Sequence, residues 1–133
     1  MFAYLVSPRY HGLMEIRGIV VYGKKEARTL GYPTANLVYS AARDIEHGVW
    51  TCWVTIGGVR RQGLAVIGMW RLKGGEASAE IHVLDFDQDI YGEIIEVVLD
   101  ERLRSLETFE NLDKLKQQIA RDVKRARQRF LAE

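Results

Sequence analysis

Cysteine and proline are scarce in this sequence, and long hydrophobic runs are missing. The 133 residues include 1 Cys and 2 Pro. A single cysteine excludes an internal disulfide framework and a cysteine-rich metal site. No stretch approaches the roughly 18 consecutive apolar residues that a transmembrane helix needs. These absences lead us to expect a soluble, cytoplasmic protein with no membrane partner.

A surplus of charge of one sign is also missing. The 19 Lys and Arg residues nearly balance the 18 Asp and Glu residues, which leaves a net charge of +1. This balance gives no overall attraction to nucleic acid or to an anionic membrane. The 47% hydrophobic content argues against disorder. We expect one globular domain over residues 14–133, preceded by a short N-terminal arm at residues 1–13.

Short β-branched runs separated by turn residues predict an antiparallel sheet. The predicted strands cover residues 16–22, 49–56, 59–67, 79–85 and 90–99. Gly57 and Gly58 separate two of these runs and are typical of a two-residue hairpin turn. Five or six strands at this spacing indicate a closed or sandwiched antiparallel sheet.

The last quarter of the chain has the period of a helix. Apolar residues recur there every three or four positions, at Leu112, Leu115, Ile119, Val123, Ala126 and Phe130. With Asn111 as the expected N-cap, this pattern predicts a helix over residues 111–131. Its end is basic, with Lys124, Arg125, Arg127 and Arg129. Such a run is typical of a solvated helix face that complements the helix dipole, and a nucleic-acid patch is the alternative. We expect no nucleic-acid partner.

A glycine-rich, basic segment could hold phosphate. A Pro-Thr-Ala-Asn block at 33–36 follows three glycines that surround a basic stretch: Gly18, Gly23 and Gly31, with Lys24, Lys25 and Arg28. Glycine lets backbone N–H groups approach an anion closely, and the cations add charge. In an extended segment Thr34 and Asn36 lie on one side, where their oxygens suit Mg²⁺. The alternative is an ordinary turn in which Asn36 caps backbone groups.

Glu80 and Cys52 are the other candidates for chemistry. Strand alternation places Glu80 and His82 on one face, away from the face that carries Ile81. In a pocket, Glu80 could orient an alcohol or accept its proton, whereas on an open surface it would only be solvated. Cys52 lies within an apolar strand, which favours a buried, inert thiol.

Together these segments resemble riboflavin kinases of the bacterial and eukaryotic ATP-dependent type, in a single-domain form. The matching blocks are PTAN at 33–36, Ile67-Gly68, EIHVLDF at 80–86, DIYG at 89–92 and Leu103-Arg104. The resemblance spans residues 16–130. It implies a mainly β fold, a six-stranded antiparallel Greek-key β-barrel with a C-terminal α-helix. It also implies transfer of the γ-phosphoryl group of ATP to the 5′-hydroxyl of riboflavin, which gives FMN and ADP.

The resemblance also implies roles for individual residues. Glu80 would be the catalytic base, and Thr34 and Asn36 would bind the nucleotide phosphates and Mg²⁺, or Mn²⁺ or Zn²⁺ in its place. Further phosphate contacts would come from Gly23, Lys24, Arg28 and Gly31. Arg104 and Trp70 would contact the flavin, although Trp70 could equally pack on the barrel. We expect a monomer.

The sequence departs from the family pattern at three places around the expected ligand pocket. Glu26-Ala27 replaces an Arg-Gly pair, Val66 stands where an Asn is typical, and residues 69–72 replace a Pro-Thr loop. They motivate the alternative of a flavin- or nucleotide-binding barrel that has lost turnover. A weaker alternative is an interaction module, since barrels host many functions. No adenylyltransferase signature is present in the 133 residues, so FAD synthesis is not expected.

Overall fold

The structure is a computed structural model that describes residues 14–21, 31–39, 45–71 and 77–131. It contains six strands, β1 (Met14–Val21), β2 (Ala35–Tyr39), β3 (Gly48–Ile56), β4 (Val59–Arg71), β5 (Ala77–Val83) and β6 (Ile94–Arg104), and the helix α1 (Leu112–Leu131). The predicted arm at residues 1–13 lies outside the described residues.

The strands close into an antiparallel barrel with the order β1-β2-β5-β4-β3-β6. β2 therefore pairs with β5, and β3 pairs with β6, although neither pair is consecutive in the sequence. These crossovers are those of a Greek key, so the predicted fold class is confirmed. No helix within the described ranges is both long and apolar enough to cross a membrane.

Several strand predictions needed correction. β4 runs to Arg71 and not to residue 67, and β6 runs to Arg104 and not to residue 99. β2 was not predicted as a strand, because five residues directly after a proline turn give little periodic signal. The last strand begins at Ile94 and not at Ile90, because the intervening residues form turns. There the Glu93 amide donates to the Ile90 carbonyl at 3.0 Å, and the Tyr91 amide donates to Asp89 Oδ1 at 2.9 Å.

The barrel interior is filled by alternate residues of the strands. Cys52 and Val54 on β3 and Ala65 on β4 are fully buried there, and Ile81 on β5 is 1% exposed. Burial raises the pKa of the Cys52 thiol, and the charge of Asp100 raises it further. A thiol that stays protonated and out of solvent is a poor nucleophile, so Cys52 is a core residue, as its strand position predicted.

The helix covers part of the outer surface of the barrel and forms a second core. Phe130 and Ala126 pack there with Val49 and Leu64 of β3 and β4. The Phe130 ring lies 4.9 Å from the Trp53 ring, centroid to centroid. At the other end, Asn111 Oδ1 accepts a hydrogen bond from the Lys114 amide at 2.9 Å, which confirms the predicted N-cap.

The basic end of α1 is attached to the barrel. Three of its arginines have barrel partners there: Arg125 donates to the Leu103 carbonyl at 3.1 Å, Arg127 pairs with Asp85 at 3.0 Å, and Arg129 pairs with Asp100 at 3.0 Å. Arg125 and Arg127 are nevertheless exposed, as a solvated face requires, and Arg129 is half-buried. The helical period of the apolar residues predicts which face of α1 packs on the barrel. It does not predict that Asp85 and Asp100 of the barrel lie beside Arg127 and Arg129.

Candidate active site

Asn36 and Glu80 are brought together by the pairing of β2 with β5. They are direct cross-strand partners, so their side chains share the outer face of the barrel. Asn36 is 8% exposed and Glu80 is half-buried. An amide oxygen and a carboxylate therefore lie side by side in a partly desolvated surface, where each interacts more strongly with a bound charge than it would in open water.

The same row of cross-strand partners continues around the barrel. Glu80 lies opposite Val66 on β4, Val66 lies opposite Val49 on β3, and Val49 lies opposite Arg104 on β6. We call Asn36, Glu80, Val66, Val49 and Arg104 the outer row. Its polar members stand at the two ends and its valines in the middle. Val49 is 2% exposed and packs under α1, so the apolar strip open between the polar groups is the half-buried Val66.

Thr34 lies just before β2, at the edge of this surface. Ala35, the first residue of β2, pairs with Ile81 on β5. Thr34 immediately precedes Ala35, and His82 immediately follows Ile81, so the two lie next to each other in the continuation of this antiparallel register. Thr34 is half-buried. The structure thus places the three polar residues predicted for phosphate, metal and base roles, Thr34, Asn36 and Glu80, around one junction of two strands.

His82 is a residue of this site to which the sequence gave no role. Its Nδ1 lies 2.7 Å from the Pro33 carbonyl oxygen, and its ring meets the Tyr32 ring edge-on at 5.8 Å. The pKa of His82 is lowered, mainly by burial and also by the charge of Arg127. The hydrogen bond with Pro33 and the charge of Asp85 raise the pKa and offset part of this shift. The signal in the sequence was the alternation that puts His82 on the face of Glu80.

Arg104 is held by the helix. Its Nε and Nη2 donate to the two carboxylate oxygens of Asp122 at 2.9 and 2.8 Å, and its Nη1 donates to the Ser105 carbonyl at 3.0 Å. Asp122 is 3% exposed and also accepts a hydrogen bond from Gln118 at 3.0 Å. A bidentate pair of this kind fixes the guanidinium plane at the end of the outer row. Contact of Arg104 with flavin stays a prediction.

The remaining predicted residues are only partly described. Gly31 is exposed in a turn with φ of 91°, a conformation that glycine adopts without a steric cost. Gly23, Lys24 and Arg28 lie outside the described residues, and the side chain of Trp70 does as well. Their roles stay predictions.

Gly68 has a specific packing reason to be glycine. Its φ is 99°, and a Cβ at this position would run into the ring of His47. Directly after it the register of β4 against β5 shifts, between Ile67 and Trp70. At the Ile67-Gly68 block, β4 therefore shifts its register against β5 and approaches His47, in the segment just before β3.

The donor set fits a metal ion that is shared with phosphate. Within the part of the chain that the structure describes, no group of three or more His, Cys, Asp or Glu residues could hold a metal. The oxygen-bearing groups at the junction are the Thr34 hydroxyl, the Asn36 amide and the Glu80 carboxylate. Mg²⁺ takes few protein ligands and completes its shell with substrate phosphates and water, so such a sparse set suits it.

The fold is thus a small closed six-stranded antiparallel barrel with a docked helix, and oxygen-bearing side chains cluster at one strand junction beside a Gly-Tyr-Pro turn. The family model Flavokinase, described as riboflavin kinase, matches residues 11–130. The chain belongs to the riboflavin kinase family.

Individual relatives agree with this assignment. A bifunctional riboflavin kinase/FMN adenylyltransferase of Escherichia coli (strain K12) is 39% identical over 117 residues, covering 86% of this chain and 37% of the relative. A crystal structure of riboflavin kinase from Trypanosoma brucei matches with a TM-score of 0.64 and 25% identity, covering 88% of this chain and 76% of that one.

A second solved structure carries a different name. It is a macrolide-efflux protein from Streptococcus pneumoniae, with a TM-score of 0.79 and 34% identity, and the match covers 88% of this chain and 39% of that one. The chain thus spans well under half the length of the E. coli relative and of this protein.

Proposed function

We propose that this chain is a riboflavin kinase that transfers the γ-phosphoryl group of ATP to the 5′-hydroxyl of riboflavin, giving FMN and ADP. The observation that carries the proposal is the direct pairing of Asn36 with Glu80 in a chain that the riboflavin kinase family model matches over residues 11–130. The pairing sets a hydrogen-bond acceptor for the substrate hydroxyl beside an oxygen donor for the phosphate-bound cation.

Glu80 acts on the alcohol. Its carboxylate accepts the hydrogen bond of the 5′-hydroxyl and aims the oxygen at the γ-phosphorus. As the new P–O bond forms, the bond between the γ-phosphorus and the bridging oxygen of ADP breaks, and the hydroxyl proton passes to Glu80 and then to water. Phosphoryl transfer of this kind depends mostly on positioning and on charge stabilisation.

Thr34 and Asn36 act on the nucleotide. They offer a hydroxyl and an amide oxygen to Mg²⁺, which when bound offsets the negative charge of the phosphates. Gly23, Lys24, Arg28 and Gly31 contribute backbone N–H groups and positive charge around the phosphate chain.

The apolar strip of the outer row offers a place for the flavin. Val66, half-buried beside Glu80, supplies this apolar surface, whereas Val49 is covered by α1. Arg104, held by Asp122, stands at the far end of the row. Trp70 lies on β4 just after the register shift that follows Ile67. In this proposal its indole stacks on the isoalloxazine ring.

The proposal is tested by incubating the purified chain with riboflavin and MgATP and separating the flavins by chromatography. We expect FMN to accumulate with time and with enzyme concentration, and to be absent when ATP is omitted. If riboflavin stays unchanged while the folded chain is present at micromolar concentration, the kinase proposal is wrong.

A second candidate function is supported by Val66. This residue lies directly opposite Glu80, at a position where the family typically has an asparagine. An apolar side chain there removes a hydrogen-bonding group from the neighbour of the proposed base. The candidate is a barrel that binds flavin or nucleotide without turnover. Calorimetric binding of riboflavin or MgADP, together with no FMN formation, would favour it over the kinase.

A further inference from the structure

His82 is in contact with the segment that leads into the phosphate site. It lies two residues after Glu80 on the same face of β5, and its Nδ1 is 2.7 Å from the Pro33 carbonyl oxygen. The Tyr32 ring stands almost perpendicular to the imidazole, at an interplanar angle of 84°. The ring is therefore fixed by a hydrogen bond and by an edge-on aromatic contact, both from the segment just before Thr34.

The hydrogen bond determines which nitrogen carries the proton. A carbonyl oxygen can only accept, so His82 Nδ1 must be the donor. In the neutral ring this is the tautomer with hydrogen on Nδ1, and Nε2 is then unprotonated. An aspartate or glutamate at this position would be an acceptor and would repel the Pro33 oxygen.

Fixing the Pro33 carbonyl also fixes Thr34. The carbonyl of Pro33 and the amide of Thr34 belong to one planar peptide unit, and no cis peptide occurs in the described residues. In a trans peptide unit the C=O and the N–H point to opposite sides. Holding the Pro33 oxygen toward β5 therefore points the Thr34 N–H away from β5 and fixes the orientation of the peptide plane that leads into Thr34. The proline ring restricts φ on the other side of the same unit. The peptide unit that leads into Thr34 is thus held by a hydrogen bond and by the proline ring.

We propose that His82 is a positioning residue that holds the Pro33–Thr34 peptide unit in the orientation that presents Thr34 to a nucleotide phosphate and its cation. This inference rests on the function proposed above. It assigns His82 no contact with the substrate. Its effect is to prepare the Thr34 backbone before the nucleotide arrives, so its loss weakens nucleotide binding more than it slows the chemical step.

Two substitutions separate the hydrogen bond from the packing of the ring. His82→Phe keeps an aromatic ring against Tyr32 but has no donor. His82→Asn loses the ring but can place its amide nitrogen near the position of Nδ1. We expect the Kd for MgADP, measured by calorimetry, and the KM for ATP to rise about threefold to tenfold in His82→Phe, the range that one lost hydrogen bond gives. In His82→Asn both should stay within about twofold of the parent, and kcat should change little in either variant.

The opposite pattern overturns the inference. If His82→Phe binds MgADP like the parent, or if His82→Asn is weakened as much as His82→Phe while both remain folded, His82 does no more than pack. If the parent chain binds MgADP but forms no FMN, the kinase proposal fails, and the calorimetric comparison of the variants still tests His82.

The tautomer provides a test that needs no variant of His82 to fold. Nitrogen-15 spectra of the imidazoles in the parent chain at pH 8 should show His82 protonated on Nδ1, with a bonded Nδ1 proton. Signals are assigned with His11→Gln and His47→Gln. A His82 ring protonated on Nε2 alone would contradict the proposed hydrogen bond and with it the positioning role.

Discussion

At the scale of single residues, the site depends on which side chains stand opposite one another. Strand alternation in the sequence correctly placed Glu80 and His82 on one outward face, since Ile81 between them is buried. It could not place Asn36 beside Glu80, because register between strands distant in sequence is set by tertiary packing. The type of each candidate side chain was therefore predictable, and its neighbour was not.

Thr34 gives the most specific prediction at this scale. Thr34→Ala removes the hydroxyl that we propose binds the cation and keeps the backbone of the turn. We expect MgADP affinity, measured by calorimetry, to fall about fivefold or more, the effect of one oxygen contact to a charged group. Thr34→Ser keeps the hydroxyl and serves as the matched control, with affinity within about threefold of the parent. Equal affinity in Thr34→Ala and the parent would show that Thr34 is only a turn residue.

At the scale of elements, the helix α1 stabilises the barrel through one apolar stripe and through ion pairs at its end. The spacing of apolar residues predicted the later part of the stripe, while its first member, Leu112, is 54% exposed. The cap followed from Asn111. The pairing of Arg104 with Asp122 did not follow from the sequence, because a charged residue on a helix is usually exposed and Asp122 is 3% exposed here. The helix thus also orients a side chain of the outer row.

Phe130 tests how much this docking contributes. It is 7% exposed and packs on Trp53, whereas its neighbour Leu131 is 86% exposed. We expect Phe130→Ala to lower the free energy of unfolding by about 3 kcal/mol, the usual cost of deleting a buried aromatic ring. Leu131→Ala should change it by less than about 0.5 kcal/mol. Urea unfolding followed by circular dichroism measures both, and equal effects of the two substitutions would mean that α1 does not dock through this face.

At the scale of the whole molecule, the closed barrel is the framework that brings the site together. The sequence predicted a closed or sandwiched sheet, and the family resemblance supplied the number of strands and the Greek-key order. β2, the strand that the sequence analysis did not predict, carries Asn36. Its five residues are too few to show a strand period, and β2 is identified by its pairing with β1 and β5. Local periodicity therefore predicted most of the framework and missed the element that completes the site.

The response of stability to acid is a property of the folded molecule as a whole, and Asp100 contributes to it. Burial raises the pKa of Asp100, but hydrogen bonds from Arg129 and Thr51 and the charges of Arg129 and Arg60 lower it, and the net shift is downward. A lowered pKa in the folded state means that the ionised carboxylate stabilises the fold above the ordinary pKa of about 4. This stabilisation is lost as the pH falls from there through the lower, folded-state value.

Asp100→Asn should remove that contribution. We expect the variant to be less stable than the parent at pH 7, and the difference between the two to shrink as the pH falls below about 4. Asp87→Asn, at an exposed position, is the matched control and should lie within about 0.5 kcal/mol of the parent at pH 7. Thermal unfolding across this pH range measures all three chains, and a constant gap between Asp100→Asn and the parent would contradict the assigned ion pair.

The central claim is the proposal that Glu80, beside Asn36, orients the 5′-hydroxyl of riboflavin for phosphoryl transfer from ATP. The most direct measurement compares FMN formation from riboflavin and MgATP by the parent chain, by Glu80→Gln and by the exposed-surface control Glu93→Gln. We expect Glu80→Gln to lower kcat at least tenfold, about 1.4 kcal/mol in the barrier, with MgADP affinity retained, and Glu93→Gln to match the parent. FMN formation by Glu80→Gln within twofold of the parent would contradict the account.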